Sequence, residues 1–389
     1  MRIALISDVF FPHMGGIETA LNALAMEYMQ NGHDVALFVR DCNFLGDIKY
    51  IDEFQYKVYR HTVNCHNIKQ SKSILYSNLE TFNPTVIHIH DQNYIGYWGV
   101  LFGNKKHIPV VCTVHGNLSY VYDHIAPYKS IKFLHRIYIR KMNKLIRKTC
   151  IKSDILTAVS QSAIDNEIRL ACRIKKDVLV VRNGYEQEKI QTILLNKKQP
   201  VIHENAHEVK LCFAGRIAWE KNLDFSFNVC KNLLNIGVPF RFFLAGEGND
   251  FDFYNSFVKE MHLDKNVSFI GRKDMNSLVD LYIDSDFLLF PSIFDTDGLV
   301  IKDANKCGCP ALVIKDTGAS EQIIDGVNGY ILDNDVNAFV EFISKWYNKR
   351  KYKDTKVFRE KVSQVDIPSW HSIAREYMNV YKKLIGGKI

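Results

Sequence analysis

The fold of this chain is indicated by residues 287–314, which read FLLFPSIFDTDGLVIKDANKCGCPALVI. The apolar run 287–290 is typical of a buried parallel strand, and Pro291 ends it because proline has no N–H to donate. The apolar spacing of 299–307 predicts a short helix, and 311–314 predicts the next buried strand. These residues therefore predict one strand–loop–helix–strand unit of an α/β sheet.

Carboxylate side chains lie in the loop of this unit, at Asp295, and further along its helix, at Asp303. Ligands of open α/β sheets bind at such loops, and a helix N terminus offers N–H groups and a partial positive charge to a phosphate. The sequence therefore favours a phosphate-bearing ligand at this helix, with its hydroxyl groups on Asp295 and Asp303.

The length and composition indicate a soluble protein of two domains. With 389 residues the chain exceeds one ordinary core and fits two domains of roughly 150–200 residues. Its nine cysteines are an odd number at scattered positions, so we expect reduced thiols in a cytoplasmic protein. Residues 1–8 read as a first strand, too short for a secretory signal, and no run reaches the roughly 18 apolar residues of a membrane-spanning helix.

Positive charge is concentrated in the first half of the chain. Of the net charge of +7, all lies in residues 1–195, which hold 24 Lys and Arg against 17 Asp and Glu. Residues 129–152 carry nine cations without one Asp or Glu, and they have apolar residues at helical spacing. This basic amphipathic helix either only docks on the domain surface or also contacts anionic lipid or an anionic acceptor. Nucleic acid is not favoured, because nothing resembles a reading helix or an aromatic stacking platform.

Short apolar strands recur along both halves of the chain. In the first half we predict strands at 3–6, 35–39, 86–89, 110–114, 155–159 and 178–181, with a helix at 17–30. After a polar stretch at 187–208, interpreted as a linker, strands recur at 209–213, 240–244, 267–271, 287–290 and 311–314. Strands separated by room for a helix indicate doubly wound parallel sheets. The sequence thus predicts two Rossmann-like α/β domains, at 1–190 and 205–369, and a final helix at 370–389.

Two groups of residues follow predicted strands and have phosphate-binding chemistry. Gly15 and Gly16 lie at the first strand-to-helix turn, where they either permit the turn or let backbone N–H groups approach a diphosphate. Arg216 and Lys221 follow the strand at 209–213, where they form either a solvated loop or a cationic pair for a diphosphate. The residues alone leave both alternatives open.

Histidines lie at the ends of two predicted strands of the first domain. His115 follows the strand 110–114 and precedes a glycine, which places it at the mouth of the sheet. His88 and His90 belong to the region of the strand 86–89, and we expect their side chains to point to opposite faces of the sheet. These histidines lack the clustering of a metal site, and we assign no metal to the Asp-x-Asp sequences at 284–286 and 295–297.

The order of short motifs along the chain resembles the family-4 retaining glycosyltransferases of the GT-B fold. In the first half the matching pieces are Gly15-Gly16-Ile17-Glu18, Thr113-Val114-His115-Gly116, Ala158-Val159-Ser160 and Val181-Arg182-Asn183-Gly184. In the second half they include Gly215-Arg216, Glu220-Lys221-Asn222, Ala245-Gly246-Glu247-Gly248, Gly298-Leu299-Val300 and Gly318-Ala319-Ser320-Glu321. The resemblance covers essentially the whole chain. It implies two Rossmann-like domains that face a central cleft, with the final helix packed back onto the first domain.

The resemblance also implies roles for individual residues. Arg216 and Lys221 would hold the diphosphate of a nucleotide-sugar donor. Backbone N–H groups would surround that diphosphate at Gly15, Gly16, Gly298, Leu299 and Val300. His115 would contact the donor sugar near its reacting centre. Asp295 and Asp303 stand where the family has two glutamates, the first on hydroxyl groups of the donor sugar and the second on the ribose.

The implied activity is the transfer of a hexose, with retention at the anomeric carbon and without a metal or other cofactor. A UDP-sugar is the favoured donor, and the acceptor would be a polysaccharide, a glycolipid or a lipid-linked saccharide. The basic helix favours the cytoplasmic face of the membrane, as in cell-envelope polysaccharide assembly. Because Asp295 and Asp303 are each one methylene shorter than glutamate, an alternative is a GT-B partner subunit without donor turnover. An epimerase or phosphorylase of the same fold is less favoured, because nothing resembles a cofactor lysine site.

Overall fold

The computed structural model describes residues 1–12, 15–41, 54–64, 67–116, 118, 131–197, 208–349 and 352–387. The chain divides into two compact units, Met1–Gly184 with Pro368–Ile389, and Tyr185–Ile367. It enters the second unit at Tyr185, ahead of the predicted boundary at 190–205, and leaves that unit after Ile367. Among the described residues, no helix has both the length and the apolarity needed to cross a bilayer.

Within the described ranges, the first unit contains a seven-stranded parallel sheet with helices. Its strands are β1 (Arg2–Ser7), β2 (Asp34–Arg40), β3 (Lys57–His61), β4 (Val86–Ile89), β5 (Val110–Val114), β6 (Ile155–Ala158) and β7 (Val178–Val180). Its helices begin with α1 (Gly16–Gln30), α2 (Ile68–Phe82), α3 (Tyr94–Lys106) and α4 (Lys132–Lys152), followed by a helical turn at Gln161–Ala163 that continues as a π-helix over Ile164–Ala171. The strand order β3-β2-β1-β4-β5-β6-β7 reverses direction between β1 and β4.

The second unit repeats this architecture with a six-stranded parallel sheet among its described residues. Its strands are β8 (Val209–Ala214), β9 (Phe240–Ala245), β10 (Val267–Gly271), β11 (Phe287–Phe290), β12 (Ala311–Ile314) and β13 (Gly329–Leu332). Its helices are α5 (Gln187–Asn196), α6 (Leu223–Asn235), α7 (Phe251–Glu260), α8 (Met275–Asp284), α9 (Leu299–Lys306), α10 (Val336–Lys349) and α11 (Tyr352–Gln364), with single 3₁₀ turns at Trp219–Lys221 and Ser320–Gln322. The order β10-β9-β8-β11-β12-β13 reverses between β8 and β11.

The central strands of both sheets are buried on both faces. Every residue of β11, β12, β4 and β5 is buried, as expected for parallel strands that helices cover on each side. This double burial explains why these strands read as short continuous apolar runs. The predicted pair of doubly wound parallel sheets is confirmed.

Helix α5 corrects the prediction of a linker at 187–208. Ile190 of this helix is buried in the core of the second unit, and Ile193 and Leu194 pack against that core. The remaining side chains of the helix are mostly polar, so its helical period is weak in the sequence. Residues 198–207 of the predicted linker lie outside the described residues.

The strands β3 and β13 were not predicted. Each lies at an edge of its sheet, where β3 pairs only with β2 and β13 only with β12 among the described strands. Most of their residues are partly exposed rather than buried. The sequence of β3, KVYRH, mixes polar and apolar residues, so its apolar signal is weak, whereas β13 is a run of only four residues, GYIL.

The helix predicted at 370–389 is α12 (Trp370–Gly386), and it belongs to the first unit. The Ser369 side chain caps its N terminus by accepting a hydrogen bond from the Ser372 N–H. Tyr381 of this helix is buried, and its hydroxyl lies 3.1 Å from that of Tyr28 on α1. The C-terminal segment therefore completes the core that the first part of the chain begins. Residues 388–389 lie outside the described residues.

Candidate functional site

Most of the predicted donor-binding residues lie in the second unit, at the carboxyl ends of two neighbouring strands. Arg216 and Lys221 follow β8, whereas Asp295 follows β11. These two strands pair in parallel at the point where the strand order reverses. Their loops therefore leave the same edge of the sheet at its switch point, which is where open α/β sheets bind ligands.

Lys221 and Asp295 are in direct contact across these two loops. The Lys221 Nζ atom lies 2.7 Å from Asp295 Oδ1 and 2.9 Å from Oδ2, and the side chains are 15% and 23% exposed. An ammonium group has three N–H donors. Two of them are used on the carboxylate, which leaves the third for a further acceptor. Because the pair is largely shielded from water, the attraction between its charges exceeds that of an exposed pair.

Hydrogen bonds to backbone carbonyls also hold the two loops together. The Asn222 side-chain amide donates to the Pro291 carbonyl at 3.0 Å, and the Ser292 hydroxyl donates to the Glu220 carbonyl at 3.1 Å. Both bonds end on main-chain atoms, so they fix the backbones of the loops as well as the side chains. A site whose loops are fixed in this way is preorganised for its ligand.

Arg216 lies beside a second carboxylate, that of Glu220. Its Nη2 atom is 2.5 Å from Glu220 Oε1, and the arginine side chain is 44% exposed. An exposed ion pair contributes only about 0–1 kcal/mol, so the guanidinium can exchange this carboxylate for a ligand oxygen at small cost. Glu220 was not among the predicted site residues, although it stands four residues after Arg216, within reach of it.

A contact between two glycines shapes the start of the loop that carries Arg216. A Cβ atom on Gly246 would lie 1.8 Å from the carbonyl oxygen of Gly215, and the φ angle of Gly246 is +149°. A side chain at this position would therefore displace the backbone next to Arg216. This close approach gives a physical reason for glycine at 246, and the φ angle of +150° at Gly215 favours glycine there as well.

Asp303 lies on α9 and is half-buried. The pKa of its carboxyl is raised to about 7, first by burial and then by the carboxylate of Glu186, whereas Lys302 and Lys189 lower it. Glu186 and Lys189 lie at the start of α5, within or beside the stretch interpreted as a linker. No local pattern joins them to Asp303, so they were not predicted. Asp303 therefore changes charge close to neutral pH.

A buried ion pair joins the loop before α9 to the helix itself. Lys302 Nζ lies 2.8 Å from Asp297 Oδ2, and the side chains are only 4% and 1% exposed. Moving two charges out of water costs several kcal/mol for each ion, and this cost is offset only while the partners stay in contact. Gly298, Leu299 and Val300 lie between the two residues, at the start of α9. The pair therefore ties the first turn of the helix to the loop.

Gly15, Gly16 and His115 lie in the first unit. Gly15 caps α1 and Gly16 is its first residue, and a Cβ atom on Gly15 would lie 2.7 Å from Oε2 of Glu18. His115 follows β5, and its Nε2 atom lies 2.8 Å from Nδ1 of His90. Burial lowers the pKa of His115 to about 4, so its imidazole is neutral at physiological pH.

The prediction that His88 and His90 point to opposite faces of the sheet was wrong. Their ring centroids lie only 3.9 Å apart, so the two rings share one face. Side chains alternate between the two faces along a strand, so residues two positions apart, such as His88 and His90, point the same way. The contact between His90 and His115 joins the ends of two strands, and it was not predicted either.

The predicted basic helix is α4, and its two ends differ in exposure. Met142, Ile146 and Cys150 are buried in the core of the first unit. The exposed apolar side chains near the other end are Ile131, Phe133, Leu134 and Ile137. The apolar face thus docks on the unit mainly in the second half of the helix. Residues 129 and 130 of the predicted segment lie outside the described residues.

Neither a metal cluster nor a disulfide occurs within the part of the chain that the structure describes. No group of three or more His, Cys, Asp or Glu side chains there is arranged to hold a metal. The buried cysteines there are Cys112, Cys150, Cys172, Cys212, Cys230, Cys307 and Cys309. The predicted donor-binding residues in the second unit instead offer two cations and three carboxylates, counting Glu220.

Two family models match the chain, one in each half. Residues 14–189 match the family described as Glycosyltransferase Family 4, and residues 196–364 match Glycosyl transferases group 1. Together the two matches span most of both units, and they confirm the resemblance that the short motifs indicated.

Known proteins resemble the chain over most of its length. The phosphatidylinositol N-acetylglucosaminyltransferase GPI3 subunit of Saccharomyces cerevisiae is 20% identical, over 98% of this chain and 83% of that protein. The alpha-monoglucosyldiacylglycerol synthase of Streptococcus pneumoniae is 22% identical, over 80% of this chain and 70% of that protein. HepE from Anabaena, solved in complex with UDP, has a TM-score of 0.73 at 17% identity and covers 98% of this chain and 100% of its own. The structural similarity shows the two-domain GT-B fold.

Replacing Lys302 by leucine is expected to lower the free energy of unfolding by about 3–5 kcal/mol, because Asp297 would keep a buried charge without its ammonium partner. Urea denaturation followed by circular dichroism measures this loss. The double variant Asp297→Leu with Lys302→Leu should recover most of it. The control Lys210→Leu breaks an ion pair with Asp284 whose side chains are 25% and 59% exposed, and it should cost about 1 kcal/mol or less. Equal losses in the two single variants would contradict a buried pair.

Proposed function

The chain belongs to the family-4 glycosyltransferases of the GT-B fold, and we propose that it transfers a hexose from a UDP-sugar with retention at the anomeric carbon. The observation that carries the proposal is the contact of Lys221 with Asp295 at the switch point of the second sheet. A cation for a diphosphate and a carboxylate for sugar hydroxyls are neighbours there. UDP in the structure of the similar protein HepE supports a uridine nucleotide in this chain.

The donor would be held by groups that surround the start of α9. We propose that Lys221 and Arg216 bind the diphosphate, together with backbone N–H groups of residues 298–300. Asp295 would accept hydrogen bonds from hydroxyl groups of the sugar, and Asp303 from the hydroxyl groups of the ribose. In the first unit, we propose that the turn at Gly15 and Gly16 contributes further backbone N–H groups to the diphosphate.

The proposed reaction needs no protein base for the acceptor. The bond from C1 of the sugar to the diphosphate breaks, and the acceptor oxygen bonds to C1 on the same face. The acceptor proton passes to an oxygen of the leaving diphosphate. Lys221 and Arg216 neutralise the charge that develops on this leaving group, which is the main electrostatic contribution we propose. His115, neutral in the folded protein, would contact the donor sugar as a hydrogen-bonding group. We propose no metal and no other cofactor.

The acceptor is proposed to be a lipid-linked saccharide, a glycolipid or a polysaccharide at the cytoplasmic face of the membrane. The names of two relatives refer to phosphatidylinositol and to monoglucosyldiacylglycerol, which supports a lipid-bearing acceptor. The exposed apolar residues at 131–137 lie beside Lys132, Arg136 and Arg140, as in a helix that rests on an anionic membrane surface. The protein would then associate peripherally with that surface.

A second candidate function is that of a partner subunit without donor turnover. It is favoured by the aspartates at 295 and 303, because each places its carboxylate closer to the backbone than a glutamate would. The relative from yeast is itself named as a subunit. Such a protein would still bind the nucleotide but would release no free UDP from any nucleotide-sugar.

Replacing Lys221 by alanine is expected to lower kcat by about 100-fold to 1,000-fold, because the leaving diphosphate would lose a cation in the transition state. The measurement is the release of UDP from a panel of nucleotide-sugars, followed by mass spectrometry of the product. Lys210→Ala is a matched control, because Lys210 contacts both oxygens of Asp284 at 2.8 and 2.9 Å but lies on the strand before the site. It should leave kcat unchanged.

Two outcomes of this experiment would count against the proposal. Near-normal turnover by the Lys221→Ala variant would contradict the role of Lys221 on the diphosphate. Thermal stabilisation of the wild-type protein by UDP, without turnover of any donor in the panel, would favour the partner subunit instead.

The affinity for UDP-glucose is expected to fall by about fivefold to tenfold from pH 8 to pH 6. This fall corresponds to the loss of about 1 kcal/mol when a hydrogen bond to a charged group is weakened. The pKa of Asp303 is about 7, so its carboxyl changes from mainly charged to mainly neutral over this range. The neutral form is the weaker acceptor for ribose hydroxyls. Isothermal titration calorimetry measures the change. Asp303→Asn should bind weakly at both pH values, and an unchanged pH dependence in that variant would assign the titration to another group.

Replacing Phe133 by serine is expected to weaken binding to phosphatidylglycerol vesicles by about tenfold or more, because burial of one Phe side chain contributes about 1.5–3 kcal/mol. Co-sedimentation at low salt measures the binding. Leu170→Ser is the matched control in the same unit, since Leu170 is 74% exposed and Phe133 is 72% exposed. Equal binding of the two variants, or no binding by the wild type, would argue against membrane contact through α4.

A further inference from the structure

A chain of buried hydrogen bonds crosses the first unit from α12 to β6. The Tyr381 hydroxyl lies 2.6 Å from His88 Nδ1, and His88 Nε2 lies 2.6 Å from the Thr113 hydroxyl. Tyr28 extends the chain beyond Tyr381 at 3.1 Å, and Thr157 extends it beyond Thr113 at 2.6 Å. None of these five side chains is exposed to solvent. Polar groups in such a position are stable only when their donors find acceptors.

If the hydrogen bonds of this series all run in one direction, each of its hydroxyl and N–H protons has an acceptor. Tyr28 donates to Tyr381, Tyr381 to His88 Nδ1, and His88 Nε2–H to Thr113. Thr113 then donates to Thr157, whose hydroxyl has the Cys112 carbonyl at 3.5 Å. In the opposite direction, the Tyr28 hydroxyl would receive the last hydrogen bond, and its own proton would have no acceptor among the described residues. This series of hydrogen bonds therefore fixes His88 in a single orientation and tautomer.

His88 also contacts the ring of His90, and the planes of the two rings are tilted by 41°. The centroids of the two rings are 3.9 Å apart, and the ring of Tyr377 packs against that of His88 with a centroid distance of 4.7 Å. Both imidazoles are neutral, because burial lowers the pKa of His88 and of His90 well below the usual value. The position of the His90 ring is therefore set by a side chain that α12 holds in place.

The hydrogen bond between His90 and His115 also has a defined direction. His90 Nδ1 lies 2.8 Å from His115 Nε2, whereas His90 Nε2 is buried without a hydrogen-bond partner among the described residues. A buried N–H without an acceptor is costlier than a buried nitrogen lone pair without a donor. His90 therefore carries its proton on Nδ1 and donates it to His115. His115 in turn carries its own proton on Nδ1.

We propose that His90 is the positioning residue for His115, and that α12 holds His90 in place through Tyr381 and His88. The hydrogen bond fixes the ring of His115 and selects the tautomer whose Nδ1 bears the proton. The C-terminal helix thereby acts on the sugar-binding histidine without touching the substrate. The effect on catalysis rests on the proposed function, whereas the tautomer of His115 does not.

The tautomer of His115 tests the proposal without any substrate. In protein labelled with ¹⁵N-histidine, the signals of His115 are those that the His115→Phe variant lacks, and they should show a proton on Nδ1. His90→Phe keeps a ring against His88 but removes the N–H donor, so the His115 signals should shift toward the other tautomer. His90→Asn places an amide N–H close to the position of Nδ1 and should restore the wild-type signals. Unchanged His115 signals in His90→Phe would overturn the proposal.

Kinetics test the catalytic part separately. With UDP-glucose, or with the donor that the screen identifies, His90→Phe should lower kcat at least about tenfold, because a small misplacement of a catalytic group is costly. Its affinity for UDP should stay within about twofold of the wild type, and His90→Asn should recover most of kcat. A normal kcat in His90→Phe would contradict the positioning role in catalysis. A normal kcat in His115→Phe would instead contradict the proposed function of His115, while the tautomer result would still stand.

A matched pair of variants tests the contribution of α12. Tyr381→Phe and Tyr28→Phe each remove one buried hydroxyl from the same hydrogen bond, but only Tyr381 touches His88. Thermal unfolding shows whether both variants fold. We expect Tyr381→Phe to shift the His115 signals and lower kcat, and Tyr28→Phe to leave both unchanged. The same response in both variants would show a general loss of packing and would overturn the role of α12.

Discussion

The reversal of strand order between β8 and β11 is the constraint on which the candidate donor site depends. Successive connections in a doubly wound sheet cover one face on one side of the reversal and the other face beyond it, which opens a crevice at the strand ends. Lys221 and Asp295 are 74 residues apart in the chain, yet they meet there at 2.7 Å. Neither residue needs a long or unusual loop to reach the other. The contact is a consequence of topology.

Charge at this edge of the sheet is balanced before any ligand arrives. Each of the two cations, Arg216 and Lys221, already contacts a carboxylate. A diphosphate would therefore bind by exchange of partners, and not through a large excess of positive charge. The exposed pair of Arg216 with Glu220 gives up little energy in such an exchange. In the structure Lys221 contacts Asp295 and has one further N–H for an incoming phosphate, so the two cations contribute in different ways.

The buried strands were predictable from the sequence, and their ends agree with the structure to within about one residue. They could be read because each is mainly apolar and is followed by glycine, proline or a polar turn. The edge strand β3 and the helix α5 were not predictable in this way, since they mix polar and apolar residues and bury only part of their surface.

The candidate site was predictable where residue type and position after a strand were sufficient. Arg216, Lys221 and Asp295 belong to this group. Glu186 and Lys189 do not, because they reach Asp303 from a helix without any sequence motif that marks it. His90 was misjudged through an error in the strand period, and its partner in the site could not be inferred without the fold. Contacts between distant elements are set by packing, and single-sequence patterns contain little information on them.

The shortness of Asp295 gains a physical meaning from its contact with Lys221. With both oxygens on the lysine, the carboxylate substitutes for the anion that the site is proposed to bind. The side chains of Lys221 and Asp295 are only 15% and 23% exposed. Without this contact, the desolvation cost of each charged group would not be compensated. The same contact would link the two halves of the proposed donor site, because a phosphate oxygen that drew Lys221 away would free Asp295 for the sugar hydroxyls. A glutamate would carry its carboxylate one methylene further and would not need to stay on the lysine. Under the proposed function, the aspartate would thus make recognition of the sugar conditional on recognition of the diphosphate.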